Sequence, residues 1–138
     1  MQQSPRRKPR ITICQSDYDR LSNLVAAYEQ RNPEIAENLA AEIDRARIVS
    51  DKAIAASVVR MGSTVTYMVD GAQSKTVALV YPADANIEEG RVSITTPVGT
   101  ALIGLKAGQS ISYATRSGQI HDLTVMEVSQ SREDALAE

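Results

Sequence analysis

The hydrophobic period of this chain changes once, across residues 50–57, and no other feature restricts its fold as strongly. Before that point apolar residues recur every three or four positions, the spacing of an amphipathic helix. After it they alternate, the spacing of a half-buried strand. Helices followed by a run of strands point to an α+β arrangement rather than an alternating parallel α/β sheet.

The helical part spans 16–49. Ser16 offers a cap, Asp19 completes a capping box, and Tyr18, Leu21, Leu24, Val25 and Tyr28 form one stripe. The stripe stops at Arg31-Asn32-Pro33, where Asn32 can cap and Pro33 can open a second helix. Ile35, Leu39, Ile43 and Ala46 continue the pattern, with Glu42–Arg45 and Asp44–Arg47 as surface pairs. So short a loop makes the helices antiparallel neighbours, a hairpin of about 16 residues per arm and roughly 24 Å reach. Its small facing residues Ala36, Ala40 and Ala46 bury little, so it needs bracing at its base.

After the 50–57 connector, residues 58–129 read as a mostly antiparallel sheet. Val65, Tyr67 and Val69 alternate against Thr64 and Thr66, Asp70-Gly71 turns, Thr76 to Tyr81 returns, and Pro82 ends that strand. Arg91 to Thr95 is a third, short strand, and Gly99 to Leu105 one or two helical turns. Gln109 to Ala114 and Ile120 to Val128 form a hairpin across Ser117-Gly118. Residues 130–138 are a polar tail.

Composition closes off several functions. The 138 residues carry 15 basic and 17 acidic side chains, a net charge of -2, so no general positive field favours nucleic acid. Residues 1–15, with Arg6, Arg7, Lys8 and Arg10, read as a solvated basic tail, or alternatively as a local contact for nucleic acid or an acidic protein surface. No apolar core of a signal peptide follows it, and no stretch approaches the roughly 18 apolar residues of a membrane span. There is no Trp and no Phe, and five tyrosines cannot build stacking platforms or aromatic cages. The one cysteine, Cys14, excludes an internal disulfide, fits a reducing compartment, and reads as a small buried apolar residue.

Three strings are more specific. Leu39-Ala40-Ala41-Glu42-Ile43-Asp44-Arg45-Ala46, then Leu79-Val80-Tyr81-Pro82, then the run from Thr96-Pro97-Val98-Gly99 through Lys106-Ala107-Gly108, in this order, resemble the regulator of nucleoside diphosphate kinase (Rnk) family, small relatives of the Gre (GreA/GreB) transcript cleavage factors. The resemblance covers nearly the whole chain. It implies an FKBP-like C-terminal domain, a coiled coil shorter than that of the Gre factors, and binding to RNA polymerase near its secondary channel. It also implies that Thr95, Thr96, Pro97 and Val98, the loop before the short helix, contact the polymerase rim; the alternative for each is a purely local role.

Gre factors place acidic residues at the coiled-coil tip to hold Mg²⁺, a hard ion that takes oxygen ligands. Here the tip region holds Glu29, Arg31, Glu34 and Glu37: the carboxylates form no close pair, and Arg31 sits between them. A solvated or contact-making tip is the preferred reading over a catalytic one. FKBP-like domains include prolyl isomerases, but Tyr67, Tyr81 and Tyr113 are too few for an aromatic proline pocket. His121, beside Asp122, reads as a sheet-surface residue. With no His cluster, phosphate loop or nucleophile motif, no catalytic residue, cofactor or metal is assigned. The expectation is a monomeric, cytoplasmic, non-enzymatic transcription regulator that competes with Gre-type factors and affects nucleoside diphosphate kinase levels indirectly. The alternatives are a cleavage factor using Glu29 or Glu34, and an adaptor for some other protein.

Overall fold

A computed structural model describes residues 8–130 of the chain; Arg6, Arg7 and residues 131–138 of the polar tail lie outside the described residues. The elements run β1 (Thr12–Cys14), α1 (Gln15–Tyr28), α2 (Pro33–Asp44), β2 (Arg47–Val49), β3 (Thr64–Val69), β4 (Lys75–Val80), β5 (Arg91–Ser93), α3 (Pro97–Leu102), β6 (Ser110–Ala114) and β7 (Ile120–Ser129). Two 3₁₀ turns, Pro82–Asp84 and Ile87–Glu89, lie between β4 and β5.

The largest departure from the sequence reading is at the two ends of the helical part. Residues 11–15, assigned to the tail, are folded: Ile11, Ile13 and Cys14 are buried, and β1 pairs in parallel with β2 in the register Thr12↔Arg47, Ile13↔Ile48 and Cys14↔Val49. Four residues after a basic run are too few to declare a period: Ile11-Thr12-Ile13 does alternate in and out, but Cys14 is buried as well, where α1 begins. At the other end the second helix stops at Asp44, and β-branched Ile48 and Val49, included in the helical part by the 16–49 bounds, belong to the ribbon. The Thr12 amide also donates to the Gly104 carbonyl at 3.1 Å, so this ribbon ties the hairpin to the sheet domain.

Helix α1 starts one residue before Ser16, and the capping box does not form. Its N-cap, Cys14, supplies no side-chain bond; the Ser16 amide instead donates to the Asp51 carboxylate at 3.0 Å, a cap lent by the connector, while Asp19 accepts from Gln15 at 2.9 Å. In α2 the reading holds, with Asn32 accepting from the Ile35 amide and Pro33 in the first turn. The arms have 14 and 12 residues, about 21 and 18 Å long, shorter than the 24 Å expected.

The five-stranded sheet has the order β5-β4-β3-β7-β6, antiparallel except for the β4–β5 pair. Within the five-residue connection 70–74, Asp70 (φ 54°) and Gly71 (φ 76°) both adopt left-handed conformations at the centre of a tight turn closed by the Ala72 amide on the Val69 carbonyl at 2.9 Å. The short helix begins at Pro97, two residues earlier than read, and ends at Leu102. One core serves both parts: Leu21, Leu39 and Ile43 of the hairpin share it with Leu79, Leu102, Leu105 and Leu123. At about 1.5–3 kcal/mol per fully buried large apolar side chain, Leu21 and Leu39 give two short helices the stability they lack alone.

Candidate partner-binding face

The loop before α3 is fixed by hydroxyl groups. Thr96 Oγ1 accepts from the Gly99 amide at 3.0 Å, capping α3, and donates to the Ser93 carbonyl at 2.7 Å. The Ser93 and Thr95 hydroxyls meet at 2.7 Å, the Thr95 amide donates to Ser93 Oγ at 3.0 Å, and Thr100 Oγ1 donates to the Ile94 carbonyl at 2.7 Å. Gly99 is required by close approach rather than by φ: a Cβ there would lie 2.1 Å from the Ser93 carbonyl oxygen. The loop is therefore rigid where its sequence is most distinctive. Among the four candidates, Thr96 spends its hydroxyl on the loop itself, while half-buried Pro97 and Val98 keep apolar surface for contact.

The hairpin tip is built more loosely. Glu29, the C-cap of α1, Arg31, Glu34 and Glu37 are all exposed. Arg31 does not bridge the carboxylates; its guanidinium stacks 5.0 Å from the centre of the Tyr28 ring. Glu34 sits in the first turn of α2, where the helix dipole favours a negative charge. Among the described residues no group of three or more His, Cys, Asp or Glu side chains is placed to hold a metal ion.

Tip and loop meet across one groove of about 400 Å³. Glu34, Ile35 and Asn38 of α2 form one wall, Thr95 and Pro97 with Thr100 and Ala101 of α3 the floor, and residues 111–116 of β6 and the following turn the other wall. The structure thus brings Glu34 together with Thr95 and Pro97, whereas Glu29, Arg31, Thr96 and Val98 do not line the groove.

Residues 54–130, more than half of the chain, match the family described as transcription elongation factor, GreA/GreB, C-term, and residues 9–49 match the Rnk N-terminus. The regulator of nucleoside diphosphate kinase from Escherichia coli (strain K12) is 34% identical over 130 residues, covering 93% of this chain and 95% of that protein. The chain belongs to the Rnk family. A transcription elongation factor GreA from Roseiflexus castenholzii is 33% identical over 113 residues, 81% of this chain and 69% of that one. A solved GreA/GreB transcription elongation factor from Nitrosomonas europaea superposes with a TM-score of 0.68 at 34% identity, over 88% of this chain and 99% of that one. These relatives are named as a regulator and as elongation factors, not as catalysts. The Rnk N-terminal match begins at residue 9, just ahead of β1, so it takes in the ribbon that the sequence reading left in the tail.

Three polar features of this Rnk chain escaped sequence reasoning. Glu42, read as part of a surface pair, is only 6% exposed, and its carboxylate receives Arg45 at 2.9 Å and Lys8 at 3.1 Å. Asp17, in the first turn of α1, is also buried and accepts from the Met61 amide at 3.0 Å; burial pushes its carboxyl above the usual aspartate value. Burial likewise raises the Cys14 thiol, as an inert packed cysteine requires, and Tyr81 is pushed up to about 12. His121 is placed on β7 as read, with Nδ1 2.6 Å from Asp70 Oδ2, while the Asp122 amide donates to the other Asp70 oxygen at 2.8 Å. Ser112 Oγ donates to Asp122 at 2.6 Å rather than to His121, so these residues make a clamp between the β3–β4 turn and β7, not a nucleophile and its base. Only a residue 51 positions away completes the clamp, a distance no local pattern reports.

Proposed function

We propose that this protein is a non-catalytic transcription regulator that binds RNA polymerase near the secondary channel and competes there with Gre-type factors. The observation that carries this reading is that Glu34 at the hairpin tip and Thr95 and Pro97 of the α3 loop open on a single groove. One docking event then engages the channel rim through the loop and the channel mouth through the tip. The FKBP-like sheet domain acts as the grip and the short coiled coil as the probe. Arms of 14 and 12 residues, with Arg31 stacked on Tyr28 between the carboxylates, favour occupancy over delivery of Mg²⁺. The protein acts as a monomer in the cytoplasm, and its effect on nucleoside diphosphate kinase follows from altered transcription. Among the described residues no helix is long and apolar enough to cross a membrane, which accords with that placement.

The test is binding of the purified protein to core RNA polymerase, with and without excess Gre factor. Displacement by the Gre factor is the expected outcome. Absence of binding at micromolar concentrations removes this reading and leaves an adaptor for another partner.

A further inference from the structure

The groove is entered from the chain's own N-terminal side. Lys8, the first described residue, lines it, and three contacts hold residues 8–10 in place: Lys8 Nζ with Glu42 at 3.1 Å, Arg45 to the Pro9 carbonyl, and Gln109 to the Arg10 carbonyl at 3.4 Å. We propose that the groove between α2, α3 and β6 is the docking site for the chain's own basic segment, residues 1–7, and that this segment competes with the protein partner for it. The claim deepens the polymerase reading, since it concerns regulation of the same face, but its first test needs no polymerase.

Reach, surface and charge support this occupant. Seven residues extend up to about 23 Å, and the five-residue β6 is about 17 Å long, so the segment can run the length of the strand from its anchor at Lys8. Strand β6 is an edge of the five-stranded sheet. The bonds Val125 to Gln109 and Thr115 to Gln119 fix the antiparallel alternation, which turns the Ser110 and Ala114 backbone toward that edge, where an extended segment can add. Half-buried Ile35 and the 45% exposed Ile120 supply apolar surface for Met1 and Pro5, above the buried Ala101 and Ile111 that line the groove beneath. On the α2 wall the carboxylate of Glu42 is already satisfied by Lys8 and Arg45, but Glu34 has no ion pair among the described residues and can take Arg6 or Arg7. The cation on the opposite wall, Arg116, disfavours seating the two arginines there and so directs them to α2.

The experiment uses the full chain. A nitroxide is attached at Ser4→Cys; Cys14, at 0% exposure, does not compete for the label. Amide signals of Ile35, Asn38, Ala101 and Ala114 are expected to lose intensity in the oxidised relative to the reduced sample, and those of β4 and the Pro82–Asp84 turn to keep it. The loss should survive dilution of spin-labelled, isotope-enriched protein into unlabelled protein of natural isotope abundance, should vanish when spin-labelled protein of natural abundance is mixed with isotope-enriched protein lacking the label, and should shrink in Arg6→Glu, Arg7→Glu and at high salt. Uniform broadening, no broadening, or broadening that persists between separate chains overturns the proposal, the last by assigning the groove to a second copy. If the intramolecular signal is present and core polymerase does not bind, the polymerase reading fails while the docking stands. If polymerase binds equally well to the wild type and to the double arginine variant, competition by the segment is refuted.

Discussion

The two segments offered for partner contact are built in opposite ways. The loop from Ser93 to Thr100 is closed by five hydroxyl-mediated hydrogen bonds and a glycine with no room for a Cβ. The hairpin turn from Glu29 to Glu34 is held by the Asn32 cap, a backbone bond from Asn32 to Tyr28 and the stacking of Arg31, with every carboxylate in water. A rigid loop can present a fixed shape at little entropic cost, whereas an exposed turn contributes charge that its surroundings must organise. Loop substitutions should therefore act first through stability and tip substitutions first through binding.

Gly99→Ala should break the loop most severely. Its Cβ would meet main-chain atoms of Ser93 and Ile94, which cannot swing aside, so we expect a loss at or above the upper end of the about 1–3 kcal/mol typical of overpacking. Equilibrium urea unfolding measures it, and a change within error would show that the loop is free to shift. Next comes Thr96→Ala, which removes a cap and a bond to the Ser93 carbonyl and should cost about 1–2 kcal/mol. Thr96→Ser should restore most of that, because the hydroxyl and not the methyl makes both bonds. On the tip, Asn32→Ala loses a long, exposed bond of 3.4 Å, so only about 0.5 kcal/mol is expected. Equal losses at Thr96 and Asn32 would erase the contrast between the two segments.

Where sequence and structure part company, the cause is distance along the chain. Local chemistry was legible: Asn32-Pro33 opens α2 and Asp70-Gly71 turns the first β-hairpin, whereas the short helix, read from Gly99, begins at Pro97. So was the α+β order, because it rests on a change of period that needs no partner. Strand β1 was not, because three residues carry no period and its partner β2 lies 35 positions later. The same holds for the cap of α1, supplied by Asp51, and for the burial of Glu42, which depends on Lys8 from the supposed tail. At the candidate site, the resemblance nominated the loop and the tip. That Glu34, Thr95 and Pro97 share a groove followed only from packing α2 beside α3.

Two aspartates carry the contrast between exposed turn and buried frame into pH dependence. Asp70 is exposed, and its carboxyl is held below the ordinary value of 3.8, first by the Asp122 amide and then by His121. A lowered folded-state pKa means stability that is complete above 3.8 and is lost as the pH falls through the lower, folded value. Asp17 is the opposite case: burial raises its carboxyl above 3.8, so the folded chain holds that proton more tightly than the unfolded one. Its ionisation costs stability as the pH rises from 3.8 through the raised value, and acidification returns it. Asp70→Asn keeps a residue that tolerates a positive φ and an oxygen for the Asp122 amide, so its effect contains the charge and the contact with His121 but not backbone strain. The deficit of Asp70→Asn relative to wild type should be largest at neutral pH and fade below 3.8. Asp17→Asn keeps an oxygen for the Met61 amide, and its stability relative to wild type should fall as the pH is lowered through the raised Asp17 value. Urea midpoints at a series of pH values on both sides of 3.8 measure both trends, and slopes of the same sign in the two variants would show that burial does not separate the two carboxylates.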